Sequence, residues 1–286
     1  MIFEWKKLLT CSLALFSFWA IKAEAGPQEN AQVAELRVGI LPYMSTQSLL
    51  MRYAPLHDYL ERVLHRPVRL LTAPTFANFI ERARHHDYDL YVTAPHFAVL
   101  AEQQSHYRRV ARLQRELDGS FIVRQGAREQ SVADLKGKRV GTPDPLAIIT
   151  LMGEEALRGA GLEIGKTVRV VHFPSHNAAI LAVANGQVEA AIVSSPVFES
   201  MSSKVRAEVR VLERTQRVPH IMLMASPQLS SAEYESLTTA ILNFGDNKEG
   251  ISYFNDTGYA GFLPIRDSDV GRAQPYADAI LTGSHP

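Results

Sequence analysis

Residues 168–196 read VRVVHFPSHNAAILAVANGQVEAAIVSSP. The β-branched run Val168, Val170 and Val171 predicts a strand. Ser175 stands where a helix N-cap belongs, ahead of His176-Asn177 and a helical run over Ala178–Ala184. Asn185-Gly186 supplies the left-handed stop that closes such a helix. A second apolar strand, Ala190–Val193, follows and ends in Ser194-Ser195-Pro196. Strand, helix and strand over this length form a βαβ unit, with parallel strands and a right-handed crossover. Ligands of open α/β sheets sit beyond the carboxyl ends of the strands. That rule puts Ser175, His176, Asn177 and Ser194–Pro196 on one lip.

Upstream the same grammar repeats. Glu35–Pro42 (ELRVGILP) predicts a strand, and Thr46–His65 carries apolar residues at helical spacing, with a kink or fresh start expected at Pro55. Val68–Thr72 and Asp89–Thr93 predict strands, each followed by a Pro-containing loop and a helix (Phe76–His85, then His96 to about Gln104). Three such repeats predict a parallel sheet with helices on its faces. Val110–Leu113 and Phe121–Arg124 read as strands flanking an Asp118-Gly119 turn. Past Gly126 the pattern restarts with a short helix at Ser131–Leu135, a strand at Lys138–Gly141, the loop Thr142–Pro145 and a helix over Leu146–Gly159. Val209–Leu212 and Ile221–Ala225 are further strands, and the tail from Ser230 reads as mostly helical. The expected organisation is α/β, with lobe 1 made of 26–123 plus 217–286, lobe 2 of 124–216, and a cleft between them.

Composition sets the remaining bounds. Of 286 residues, 46% are apolar and 21% charged, which suffices for a sizeable core. Formal net charge is zero. That balance argues against a nucleic-acid partner or a strongly membrane-seeking surface. Residues 1–25 read as a cleaved signal peptide: Lys6-Lys7, an apolar core from Leu8 to Ala20, and the A-x-A site Ala23-Glu24-Ala25. A core of about thirteen residues is too short to span a bilayer. The single cysteine, Cys11, lies in this segment. A chain cleaved after Ala25 therefore has no thiol chemistry and no disulfide.

Strong catalytic signatures are missing from the sequence: no Walker loop, GxSxG elbow, HExxH or paired CxxC. Of the ten histidines, adjacent His85-His86 point different ways on a helix and read as solvated helix-end residues. Three others sit at the expected cleft. His96 opens a helix after DLYVT, His176 opens the helix of the βαβ unit, and His220 follows Pro219 at the second crossover. Helix starts offer unpaired N–H groups and a partial positive charge suited to an anion. A three-histidine metal site is the alternative use of these residues. Asp118 and Asp144 are the loop carboxylates on the cleft side, and both read more simply as turn residues than as an acid/base pair. No cofactor or metal is expected.

Five stretches carry a resemblance: RVGILP (37–42), LTAPTFANFIE (71–81), DLYVTAP (89–95), SVADLKGKRVGTPDP (131–145) and HNAAILAVANGQVEAAIVSS (176–195). Through them the chain resembles the periplasmic solute-binding proteins of the phosphate, phosphite and phosphonate ABC-transporter type. The resemblance implies a type II periplasmic binding fold: two Rossmann-like lobes with mixed, mostly parallel sheets, joined by two crossover strands and closing on a ligand. It also implies a secreted, periplasmic, non-enzymatic protein. Such a protein traps a small solute, an oxyanion or related ligand, for an ABC permease. The alternative is a sensory or interaction module docking to a membrane sensor protein or kinase.

The residue pattern and the resemblance together place the expected ligand among Tyr43, Phe76, Thr93, His96, Thr142, Asp144, His176, Ser194 and His220. In that assignment Tyr43 and Phe76 pack against the ligand, His176 and the helix starts contact an anion, and His220 makes a polar contact at the hinge. Three departures from the family pattern stand out. Phe76 occupies a position where a tyrosine is usual. Leu146-Ala147-Ile148 follow the G-x-x-D-P loop (Gly141–Pro145) where hydroxyl residues grip the anion. The acidic residue that holds an ammonium is replaced near His220. Losing two or three hydrogen bonds to a dianion, at roughly 1.5–3 kcal/mol each, lowers affinity by several orders of magnitude.

Overall fold

A computed structural model describes residues 34–283; the segment expected to be a signal peptide lies outside them. The first sheet is built from β1 (Leu36–Ile40), β2 (Val68–Leu71), β3 (Leu90–Thr93), β4 (Arg108–Leu113), β10 (Met222–Ala225) and β11 (Phe262–Leu263), in the order β11-β4-β10-β3-β1-β2. The second holds β5 (Gly119–Arg124), β6 (Arg139–Thr142), β7 (Arg169–His172), β8 (Ala190–Ser194) and β9 (Val209–Arg214), in the order β7-β6-β8-β5-β9. Both sheets are mixed. Strands β2-β1-β3 and β7-β6-β8 are parallel, and antiparallel pairing enters through β10 in one sheet and β5 in the other.

The βαβ unit forms as its sequence requires. Helix α5 (His176–Ala184) links β7 to β8, and β6 lies between the two strands. Ser175 caps α5 by accepting the Ala178 N–H at 3.2 Å. Beyond α5, Asn185 keeps right-handed helical angles and Gly186 takes the positive φ of 72°. A side chain other than glycine's pays a steric cost there.

Two sequence expectations shift. Helix α1 (Thr46–Leu64) runs unbroken through Pro55. Its apolar stripe of Leu49, Tyr53, Leu56 and Leu60 is buried on the first sheet, and that packing holds the helix through the proline. The second concerns the lobe boundary. β5 is apolar and almost wholly buried, and it pairs with β8 on one side and β9 on the other. The chain therefore crosses at 114–118, ahead of β5 and earlier than residue 123. Asp118-Gly119 is not a hairpin turn. Instead the Asp118 carboxylate accepts the Ser195 hydroxyl at 2.8 Å and pairs with Arg214 at 3.0 Å. The return passes through 215–221, and the two crossing segments pair by reciprocal Leu117–Val218 backbone bonds of 2.9 Å.

The C-terminal helix braces both lobes. In α10 (Asp267–Leu281), Ala273 and Ala277 join the core of the first lobe, while Tyr276 packs into that of the second. The Tyr276 hydroxyl donates to Glu155 at 2.6 Å and accepts from Gln216 at 2.9 Å. Asp269, at the start of the same helix, is buried against Arg112 at 2.9 Å and Arg272 at 3.0 Å.

Candidate functional site

The carboxyl ends of β1 and β8, α1 and α5 enclose a cleft of about 630 Å³. Its walls include Tyr43, Ser48 and Arg52 from the first lobe, and Ser175, His176 and Asn177 from the second. Tyr43, His176 and Val197 also wall a smaller chamber of about 90 Å³, where the cleft continues inward. The chamber is lined mainly by apolar groups, among them Phe76, Leu117, Ile148, Ile149 and Ile221.

Five of the nine residues assigned from the sequence lie on these walls: Tyr43, Phe76, His176, Ser194 and His220. His176 is held by a bond from the Ser194 N–H to Nδ1 at 3.2 Å. The ring therefore carries its proton on Nε2. His220 is fixed in the same tautomer, since its Nδ1 accepts the Ile221 N–H at 2.8 Å. Burial pushes the pKa of His176 down to about 4. Burial, with Arg115 and Arg52 nearby, takes His220 to about 3. Both are neutral at pH 7 and meet the cleft as hydrogen-bond donors.

The other four residues do not line either space. Thr93 is wholly buried at the end of β3, paired in register with Met222 of β10. His96 opens α3 (Pro95–Ser105) and is wholly buried; its Nε2 donates to the Leu146 carbonyl at 2.9 Å. That bond crosses between lobes. Ala147 belongs to the core of the first lobe and Leu146 packs against it, so the loop that enters α4 (Ile148–Gly159) is docked by apolar contact. Thr142 lies 2.7 Å from His172 Nδ1 and also donates to the Pro143 carbonyl. Asp144 accepts the Leu146 N–H at 2.8 Å and shapes the same loop. His96, His176 and His220 do not form a metal cluster: among the described residues, no group of three His, Cys, Asp or Glu is placed to hold an ion.

The sequence reading missed Arg52. This half-buried guanidinium lines the cleft, surrounded by Tyr43, Tyr259, Tyr253 and Tyr53. Burial works against its charge, but the phenol groups outweigh that and hold its pKa above the usual arginine value. Arg62, farther along α1, and Arg115 are paired with Glu249 and Glu199. Arg52 has no carboxylate partner among the described residues. Its signal was present in the sequence: Ser48, Arg52 and Pro55 are spaced four and three apart, which is one face of a helix beside the buried stripe. Tyr253, on α9 (Lys248–Thr257), and Tyr259, just after it, lie in the tail that the sequence marks only as mostly helical.

A family described as "ABC transporter, phosphonate, periplasmic substrate-binding protein" matches residues 38–270. Among solved structures, PhnD1 from Prochlorococcus marinus in complex with methylphosphonate superposes with a TM-score of 0.78 at 19% identity, covering 86% of this chain and 98% of that one. A binding-protein component of an ABC phosphonate transporter from Pseudomonas aeruginosa gives 0.75 at 19% identity, covering 87% and 88%. The aliphatic sulphonate binding protein SsuA from Escherichia coli gives 0.64 at 18%, covering 88% and 94%. At these identities the superpositions speak to the fold.

Proposed function

Because the chain belongs to the periplasmic substrate-binding family of phosphonate ABC transporters, we propose that its cleft captures a small organic anion through Arg52 and the start of α5. The family places it in the periplasm as a ligand-trapping partner of an ABC transporter, not an enzyme. The ligand assignment rests on one observation: Arg52 lines the cleft half-buried and without a carboxylate partner among the described residues. A desolvated cation is costly unless something pairs with it. Opposite it, the first N–H groups of α5 and the Nε2–H of His176 add neutral donors. Methylphosphonate and aliphatic sulphonates, bound by the structural neighbours, are both organic anions.

Thermal shift of the purified chain tests this reading. Methylphosphonate and short alkanesulfonates are the anionic probes, and neutral sugars are the controls. A probe present at a hundred times its Kd stabilises the fold by about 2.7 kcal/mol. Stabilisation by the sugars and by none of the anions would overturn the assignment.

Export belongs to the same proposal. The Lys6-Lys7, Leu8–Ala20 and Ala23–Ala25 pattern lies outside the described residues and supports cleavage ahead of Gly26. The intact mass of protein recovered from a periplasmic extract is expected to begin at Gly26. A mass retaining Met1 would refute cleavage.

A further inference from the structure

The anion-binding reading leaves open what else the ligand carries, and the cleft is divided in a way that bears on it. Arg52 and the serines at 45, 48 and 175 lie in the wide outer part, whereas the inner chamber is walled by Phe76, Leu117, Ile148, Ile149 and Ile221. The start of α4 would be the natural second anion site, since helix N-termini attract negative charge. Here its cap is Ala147, with no side-chain capping bond, and Ile148 and Ile149 follow, both buried. Asp144 and the docking of Leu146 and Ala147 into the first lobe hold this loop in place. Among the described residues no cationic side chain lines the chamber to replace the lost donors; its polar side chains are Tyr43, His176, Ser194, His220 and Tyr259, all neutral.

Charge matching points the same way. Among the described residues, Arg52 is the one cationic side chain on the walls of the two spaces, and Asp256, exposed at the outer rim, partly offsets it. A second negative charge on the ligand would find no counter-charge.

Building on the proposed anion site, we infer that the ligand is a singly charged organic anion whose short apolar group enters the chamber beside Ile148 and Ile149. The chamber of about 90 Å³ offers the space of about three water molecules at ~30 Å³ each. It suits a short chain of about three carbons. The anionic head then stays outside, at Arg52 and α5.

Titration calorimetry with straight-chain alkanesulfonates of one to six carbons tests this, because a sulfonate carries one charge at any working pH. Affinity is expected to rise about four-fold per added carbon, equivalent to about 0.8 kcal/mol per methylene, up to about three carbons, and then to level off or fall. Propanesulfonate should bind at least ten-fold more tightly than inorganic phosphate or methylphosphonate at pH 8. Ile148→Thr, which places a hydroxyl in the chamber, should flatten the chain-length dependence. The wild-type series decides the matter even if that variant folds poorly. Affinity independent of chain length, or tighter binding of the dianions, overturns the inference while leaving the anion site standing. Binding of no anion at all removes both.

Discussion

Arg52→Gln is expected to weaken the binding of a small organic anion by a factor of a hundred or more, without destabilising the empty protein. A guanidinium fork can give a carboxylate, sulfonate or phosphonate two parallel hydrogen bonds. Hydrogen bonds to charged groups contribute roughly 1.5–3 kcal/mol each, so removing two costs about 3–6 kcal/mol of binding free energy. The empty protein responds differently. Arg52 is half-buried, lacks a carboxylate partner among the described residues, and is surrounded by tyrosines. Burial works against its charge and the phenol groups favour it, so a neutral amide in its place exchanges two opposed effects. The melting temperature of the free variant should stay close to that of the parent, which separates loss of a ligand contact from loss of the fold. Arg52→Lys keeps the charge without the fork and should fall between the two. Calorimetry on the three proteins, with the tightest-binding sulfonate as probe, checks the order. Wild-type affinity in Arg52→Gln would show that the anion is held elsewhere.

The contrast between Arg52 and His176 explains what could be read in the sequence. His176 sits at a junction whose every neighbour is diagnostic: a β-branched strand before it, a serine cap, and Asn-Gly after the helix. Local chemistry fixes such a residue in space, and the structure has it opening α5 on the cleft wall. Arg52 lies in the middle of a nineteen-residue helix, where most arginines face solvent. Only the placement of Tyr253 and Tyr259, two hundred residues later in the chain, makes its position special. Helical spacing groups Arg52 with Ser48 and Pro55 on one face, but nothing in that spacing says that the face meets a cleft. Thr142 and Asp144 err in the other direction. They were assigned by correspondence with a family loop, yet with hydroxyl residues replaced by Leu146, Ala147 and Ile148, the loop's polar groups bond among themselves and to His172. The lobe boundary slipped for a related reason. Two apolar strands around Asp-Gly look like a hairpin, and only the pairing of β5 with β8 and β9 reveals that the chain has already changed sheets.

The buried histidines make the fold sensitive to acid over an unusual range, and this effect should be as large as the loss of Arg52. His96 and His220 are almost without exposed surface. Burial, opposed slightly by the Leu146 carbonyl, lowers the His96 pKa to about 4; burial with Arg115 and Arg52 lowers that of His220 to about 3. In the unfolded chain both return to about 6.5. Between those limits the unfolded state binds protons that the folded state refuses, so stability is full above about pH 6.5 and drains away as the pH falls toward 4. Two such groups give a slope near 2.7 kcal/mol per pH unit around pH 5, and His176, less deeply buried, adds to it in the same direction. The accumulated loss is on the order of 5 kcal/mol, comparable with the whole stability of a typical domain. Carboxylates held down by partners, such as Glu189 beside Arg139 at about 2, contribute only lower in pH, once their unfolded counterparts begin to protonate. His96 also links this titration to the lobes. Its Nε2–H already holds Leu146 across the interface, while its buried Nδ1 has no partner among the described residues. A second proton there would place a charge against apolar walls, and releasing the inter-lobe bond is the route by which it could be hydrated. Urea unfolding followed by circular dichroism at pH 7.5, 6 and 5 should give a steeply falling stability. His96→Gln, whose amide can still donate to Leu146, should lower the slope by about one proton. A stability unchanged between pH 7.5 and 5 would mean that neither histidine is held neutral by burial.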